Sequence, residues 1–220
     1  MLIDHYPVLG LRLTTPRLEL RLPSPEELSS LADLAAEGIH DPAFMPFCVP
    51  WTDQPQAELA RAVVQYHWKT LGESTPQEWS LHFTVFHDGV VVGTQDLNGR
   101  MFRVTREVST GSWLGLRHQG KGIGTEMRAA VLQLAFVGLA AQWAVSDAYT
   151  HNPASLAVSR KLGYEPDGIA RHVVRDEPAI LQRLRLSRAG WERHRTVPVT
   201  IDGLEPCLAQ LDCPGTTETA

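Results

Sequence analysis

Gln119-Gly120-Lys121-Gly122-Ile123-Gly124-Thr125 sets three glycines at alternate positions. Without a Cβ, a glycine lets the backbone pass close to a ligand. Just before this stretch, Ser112-Trp-Leu-Gly-Leu116 reads as the end of a strand. Just after it, Met127, Ala130, Val131 and Leu134 recur at i, i+3, i+4 and i+7, one buried face of a helix. The order is strand, glycine loop, helix. The first N–H groups of such a helix lack internal partners, and its dipole places about half a positive charge there. That end attracts a phosphate.

Spacing separates three kinds of phosphate loop. A Walker loop needs G-x-x-x-x-G-K and then Ser or Thr. Gly115, Gly120 and Lys121 fit, but Gly122 stands where the hydroxyl must be. A dinucleotide fingerprint needs G-x-G-x-x-G near the start of a βαβ unit. Gly120 and Gly122 fit, but Thr125 replaces the third glycine, far from the N-terminus. The third pattern, Q/R-x-x-G-x-G/A, is met in full by Gln119, Gly122 and Gly124.

That pattern resembles the pyrophosphate loop of the GNAT superfamily of N-acetyltransferases, which bind acyl-coenzyme A. Trp113-Leu114, the Gly124-Thr125-Glu126 helix start and Thr15-Pro-Arg-Leu-x-Leu-Arg21 are most similar to the ribosomal-protein alanine N-acetyltransferase (RimJ/RimL-type) subfamily. A second motif, Asn152-Pro-Ala-Ser155-Leu-Ala-Val-Ser159-Arg-Lys-Leu-Gly163-Tyr164, resembles the family helix beside the pantetheine arm. The resemblance runs from about Arg12 to Trp191. It implies a mixed α/β fold, with a central, mostly antiparallel sheet splayed at the CoA site and helices on its flanks. It implies that Gln119, Gly120, Lys121, Gly122, Ile123, Gly124 and Thr125 hold the pyrophosphate. The backbone of Leu114 and Ser112 would pair with the pantetheine, and Asn152 would hydrogen-bond the same arm beside Ser155. Asn152 also reads as a helix N-cap.

The reaction this implies is attack of a neutral amine on a thioester. It needs a donor for the developing oxyanion, a route for the ammonium proton and stabilisation of the leaving thiolate. The family's thiolate donor is usually a tyrosine seven residues after the motif's asparagine; Ser159 stands there. The ribosomal subfamily uses a serine three residues after it, here Ser155. A serine hydroxyl is a poor acid, so either would relay a proton or hydrogen-bond the thiolate. The plain alternative is that both are small helix residues facing the CoA arm. Some ribosomal relatives place a glutamate base where this chain has Val174. His172 lies two residues earlier on the same strand face, and an intrinsic pKa of ~6.5 suits a base near neutrality. Asp96, Asp176, Glu177 and an ordered water are alternatives, as is a plain exposed strand histidine.

Composition narrows the partners. A net charge of −5 argues against a nucleic-acid ligand. No apolar run is long enough to span a membrane, and the first residues lack a signal-peptide pattern, so a cytoplasmic location is expected. Cys48, Cys207 and Cys213 are odd in number and wrongly spaced for a disulfide framework or a C-x-x-C site, and no histidine spacing calls for a metal.

Further elements must position these residues. Leu11 to Leu22 reads as a half-buried strand. Ser24, Pro25 and Glu27 start a helix with a capping box, its buried face Leu28, Leu31, Leu34 and Ala35, ending near Gly38. His40 to Asp53, rich in proline and aromatics, reads as a wall of the acceptor pocket or a loop over the core. Gln56 to Leu71 is a helix with Leu59, Val63, Tyr66 and Leu71 inward. Trp79–Phe86 and Val90–Leu97 are strands around an Asp88-Gly89 turn, with a second turn at Asn98-Gly99. Glu107–Leu116 leads into the glycine loop. Gln142–Tyr149 is a strand, and Asn152–Leu162 a short helix. Tyr164–Val174 and Ala179–Leu186 are the last strands, and Ser187–His194 a last helix. Residues 1–195 form the acyltransferase domain. Residues 196–220 form an extension: an edge strand near Val197–Ile201, then disorder from Pro214. Val197, Val199 and Ile201 give that strand an apolar face, which suggests a homodimer.

The expected activity is acyl transfer, most simply of acetyl from acetyl-CoA, to a primary amine. The acceptor is a protein N-terminus, a lysine or a small-molecule amine. Alternatives are a succinyl-CoA donor, which some look-alikes use, and a catalytically silent acyl-CoA-binding module.

Overall fold

The computed structural model describes residues 1–213. The disorder expected from Pro214 lies outside the described residues.

A single-turn helix α1 (Leu2–His5) opens the chain. Where one strand is expected over Leu11–Leu22, there are two, β1 (Arg12–Thr14) and β2 (Leu18–Arg21), paired antiparallel. Pro16 has no N–H to continue a ladder, and the Thr15 hydroxyl accepts from the Leu18 amide at 2.9 Å, closing a turn. Helix α2 (Pro25–Glu37) begins with the expected capping box: the Ser24 hydroxyl accepts from the Glu27 amide and the Glu27 carboxylate from the Ser24 amide. Helix α3 (Gln56–Glu73) buries Leu59, Val63 and His67, while the expected inward Tyr66 is exposed. His67 is buried in its place, its ring tilted against His82 on the sheet at 5.5 Å between centroids, while Tyr66 meets the same His82 ring edge-on at 5.0 Å from the exposed side.

Strands β3 (Glu78–His87) and β4 (Val90–Arg100) form the expected hairpin at Asp88-Gly89. Asn98-Gly99 is not a turn but lies within β4. Gly99 is there for space: a Cβ would sit 2.3 Å from the Trp79 ring. The chain turns later, through α4 (Phe102–Thr105), into β5 (Glu107–Leu114). Then come α5 (Ile123–Gln133), β6 (Trp143–Tyr149), α6 (Pro153–Lys161), β7 (Glu165–Val174), β8 (Glu177–Ser187) and α7 (Arg188–His194). A final strand, β9 (Thr200–Asp202), pairs with β1 at the sheet edge.

The sheet order is β7-β8-β6-β5-β4-β3-β2-β1-β9. Every neighbouring pair is antiparallel except β5 and β6. The main core lies between the sheet and α5, around Leu97, Val108, Met127, Val131 and Phe136. A second core packs α2 and α3 on the other face, around Leu31, Leu59 and Phe86. No described helix is long and apolar enough to cross a membrane.

Candidate active site

The one parallel pair is also incomplete. β5 and β6 are in register only over Glu107–Ser109 and Trp143–Val145. Beyond that point β5 stays with β4 as far as Leu114, and β6 stays with β8 as far as Tyr149. The two strands fork, and the Ser146 hydroxyl donates to the Thr110 carbonyl at 3.3 Å in the crotch. A cleft of about 760 Å³ fills the fork. It is lined by Gly111–Leu114 from β5, Ser146–Ala148 from β6, the glycine loop, the start of α6 and the 40–48 loop. A smaller hollow of about 330 Å³ at Thr14–Arg21 and Phe86–Gly89 holds none of the expected residues.

Backbone edges in the fork alternate. The Thr110 carbonyl turns toward β6, and the Leu114 carbonyl accepts from the Gln119 side chain at 2.8 Å. Ser112 lies midway, so its N–H and C=O face the same open side. This edge suits a chain-like amide ligand laid along it. The Leu114 carbonyl is already used, which leaves its N–H together with both groups of Ser112.

The glycine loop closes the outer end. Gly120 and Gly122 have φ of 74° and 80°, left-handed angles that favour glycine. The Gly122 carbonyl accepts from the amides of Thr125 and Glu126, and the amides of Ile123 and Gly124 have no bond inside the helix. Both point to the anion-binding end of α5. Gln119 lines the cleft, but its amide is spent on Leu114 and on the Ile39 carbonyl at 2.7 Å, so it shapes the loop. The Ile123 side chain is buried in the core and the Lys121 side chain does not line the cleft, so only their backbone is left to face a ligand. Gly120, Gly122, Gly124 and Thr125 line it directly.

Arg17 was not among the expected site residues. Its guanidinium bonds Glu126, with Nε and Nη2 at 2.7 and 2.6 Å from Oε2, and donates to the Lys121 carbonyl at 3.2 Å. Burial resists charge on Glu126, but the hydrogen bonds from Thr15 and Arg17 hold its carboxyl below its usual range. A half-exposed guanidinium, paired with Glu126, thus sits over the glycine loop. The Thr-Pro-Arg phrase was its only sequence signal.

Asn152 and Ser155 both line the cleft. The Asn152 side-chain oxygen accepts from the Ser155 amide at 3.1 Å, an N-cap that leaves its NH₂ free to turn to a ligand. Ser159 does not line it: the residue is 1% exposed and its hydroxyl accepts from Arg128 at 2.9 Å. His172 is also outside the lining, its ring edge-on to Tyr149. Two carboxylates line the cleft, Asp41 from the 40–48 loop and Asp147 on β6, inside the fork. Asp147 keeps solvent access, yet the protein around it desolvates the carboxyl enough to push it above the usual value, an effect that His172 and Arg128 partly offset. Asp96, an alternative base, sits beneath Gly111 and is held by His82 at 2.8 Å, and neither lines the cleft. Asp176 and Glu177 lie at the β7–β8 turn, also outside it.

A forked parallel pair with an open helix start at its mouth is the arrangement expected of an acyl-CoA-dependent acyltransferase. Residues 17–165 match the family described as acetyltransferase (GNAT) domain, and the chain belongs to that family. It is an N-acyltransferase using acetyl-CoA or a related thioester. Solved structures share the fold. A ribosomal L7/L12 alpha-N-protein acetyltransferase, RimL, in complex with coenzyme A is 17% identical, covering 79% of this chain and 95% of its own, with a TM-score of 0.64. A spermidine N-acetyltransferase chimera of Vibrio cholerae SpeG and hSSAT is 15% identical over 80% and 98%, with a TM-score of 0.64. A GNAT-family acetyltransferase from Bacillus anthracis is 14% identical over 81% and 99%, with a TM-score of 0.61.

Proposed function

We propose that this cleft takes acetyl-CoA and passes its acetyl group to a primary amine that enters beneath the 40–53 loop. The observation that carries this reading is the opening of the fork and the start of α5 into one continuous cleft. The pyrophosphate rests on the loop amides and near Arg17. The pantetheine pairs with the edge of Ser112 and Leu114, with Asn152 and Ser155 opposite. Ser155 serves as a hydroxyl near the thioester. Asp147 replaces His172 as the group that takes the ammonium proton, directly or through a water. Asp41 and Asp147 make the acceptor side acidic, which suits an amine arriving as a cation. A protein N-terminus, a lysine and a small polyamine all meet that description. Succinyl-CoA is the second reading, because Arg128, His151 and Lys161 in the cleft would suit an added carboxylate. A homodimer through the extension would have to use the backbone edge of β9, since Val199 and Ile201 pack on their own core.

Gly122→Asp tests the cofactor end. The left-handed φ and the new carboxylate both oppose pyrophosphate there, so calorimetry should show CoA affinity falling at least ~100-fold. Unchanged affinity in a folded variant would remove the loop assignment. Turnover of acetyl-CoA and succinyl-CoA against panels of peptides and amines then fixes donor and acceptor.

A further inference from the structure

Arg128 is a cation buried without an anion. It is 5% exposed, yet it lines the cleft. Its Nη1 donates to the Ser159 hydroxyl at 2.9 Å and its Nη2 to the Ser112 hydroxyl at 3.2 Å, while Nε is buried with no partner. Both acceptors are neutral. Among the described residues no carboxylate pairs with it, whereas Glu126, two positions earlier on the same helix, holds a matched arginine. Burying an unpaired charge opposes folding. A site that tolerates this keeps a positive potential pointed at whatever enters.

Its depth says what enters. The chain leaves β5 at Leu114, turns at the glycine loop and returns along α5, so α5 runs back beside β5. Arg128 lies six residues beyond Gly122, about 9 Å along the helix. Its bond to Ser112 sets it level with the open strand edge, between the phosphate end and the crotch at Thr110. A thioester whose phosphates rest on the loop and whose arm lies along β5 brings its reacting end to this depth.

We infer that Arg128 is a catalytic residue that hydrogen-bonds and electrostatically stabilises the sulfur of the leaving CoA thiolate. This rests on the acyl-CoA reading of the cleft. The amine nitrogen attacks the thioester carbon, and the C–S electron pair leaves on sulfur. The ammonium proton passes to Asp147 or water, and the thiolate takes a proton from solvent as CoA departs. The products are the amide and CoA thiol. A guanidinium does not need to give up its proton; it offers preorganised donors where negative charge appears. Ser159 and Ser112 then act as positioning residues that hold the guanidinium. The other ionisable groups around it are Tyr164, buried and bonded to Thr110, and Asp147 across the cleft.

The test uses the full-length enzyme with Arg128→Gln, Arg128→Lys and Ser159→Ala, each checked for wild-type melting behaviour. In the wild type, ultraviolet thiolate absorbance should show bound CoA ionising at lower pH than free CoA. Arg128→Gln should remove that shift and lower kcat by about 100-fold, the cost of one preorganised donor. KM for the donor and affinity for desulfo-CoA should stay within a few-fold. Arg128→Lys should recover part of kcat, and Ser159→Ala should give a smaller loss with the same thiol signature, which keeps the test alive if Arg128→Gln misfolds. A folded Arg128→Gln enzyme with near-normal kcat would overturn the assignment. So would a loss confined to succinyl-CoA, which would move the anion to the donor's own carboxylate. Wild-type protein that fails to bind CoA would overturn the cleft reading itself; intact CoA binding with no thiol shift would overturn the role of Arg128 alone.

Discussion

Asp147 combines access with an unfavourable environment. Desolvation is the main cause of its raised pKa, so the folded protein disfavours its charged form relative to the unfolded chain. The linkage sign follows. Its contribution to stability is greatest below the unfolded value, 3.8, and is lost as pH rises through the raised folded value. At neutral pH the ionised carboxylate is therefore a cost retained in a reacting cleft. Asp147→Asn should hold or raise the melting temperature at pH 7 while lowering kcat by about 100-fold, the lower range of general-base effects. In the wild type, the acid limb of the kcat/KM profile should fall as pH drops through the raised value. A variant with wild-type kcat and an unchanged acid limb would return the proton to water alone. Individual residues were unequally legible in the sequence. Glycines announce a backbone shape, so Gly120, Gly122 and Gly124 could be placed from spacing. Arg128 could not, because its role depends on two serines from β5 and α6 that only folding brings to it. Ser159 sits at the right helical step, but its orientation into the interior is a packing outcome. His172 stands out in the sequence for its intrinsic pKa and strand face, but the path from that face to the cleft is not written locally.

At the scale of elements, the roof of the proposed acceptor side is an aromatic loop strapped from outside. Phe47 and Trp51 lie 5.2 Å apart, and Trp51 reaches Trp113 of β5 at 6.1 Å. Arg175, in the β7–β8 turn, donates to Asp53 at 3.0 and 2.5 Å and to the Pro42 carbonyl at 2.8 Å. One side chain thus ties both ends of the loop to the far side of the fork. Exposed ion pairs contribute little to global stability, so this contact should matter for positioning. Arg175→Ala should raise the acceptor KM several-fold and leave the melting temperature and CoA affinity nearly unchanged; an unaltered acceptor KM would show that the aromatic contacts hold the roof unaided. Helix starts such as Ser24 were legible because caps are local. The fork was not legible from alternation alone: the burial alternation of β5 lapses over Gly111–Trp113, where β6 has left, but the residue types there do not announce it. Only the family resemblance supplied the splay. Asn98-Gly99 shows the converse, a turn signal overridden because Trp79 needs the missing side chain.

The molecule as a whole depends on its C-terminal segment more than an edge-strand reading suggests. After β9, Cys207, Leu208, Leu211 and Cys213 are buried in the main core, and Ile201 and Leu204 pack against it. Burial pushes the thiols of Cys207 and Cys213 up to about 11, so they behave as core side chains. The segment also approaches the N-terminal turn closely: Gly203 has φ of 73°, and a Cβ there would lie 2.4 Å from the Gly10 carbonyl oxygen. The apolar period of 197–201 was legible, but the sequence does not say whether that face meets its own core or a second subunit. Ending the chain after Arg195 should therefore do more than test assembly. Each buried leucine contributes roughly 1.5–3 kcal/mol. Losing the segment should remove on the order of 5 kcal/mol from a total that is usually 5–15 kcal/mol. The truncated chain should melt far below the full-length protein or aggregate, and Gly203→Ala should move the melting temperature in the same direction by a smaller amount. Calorimetry with light scattering reads both. A truncated chain that melts like the full-length protein, with only its mass in solution halved, would show that the segment serves an interface and not its own core.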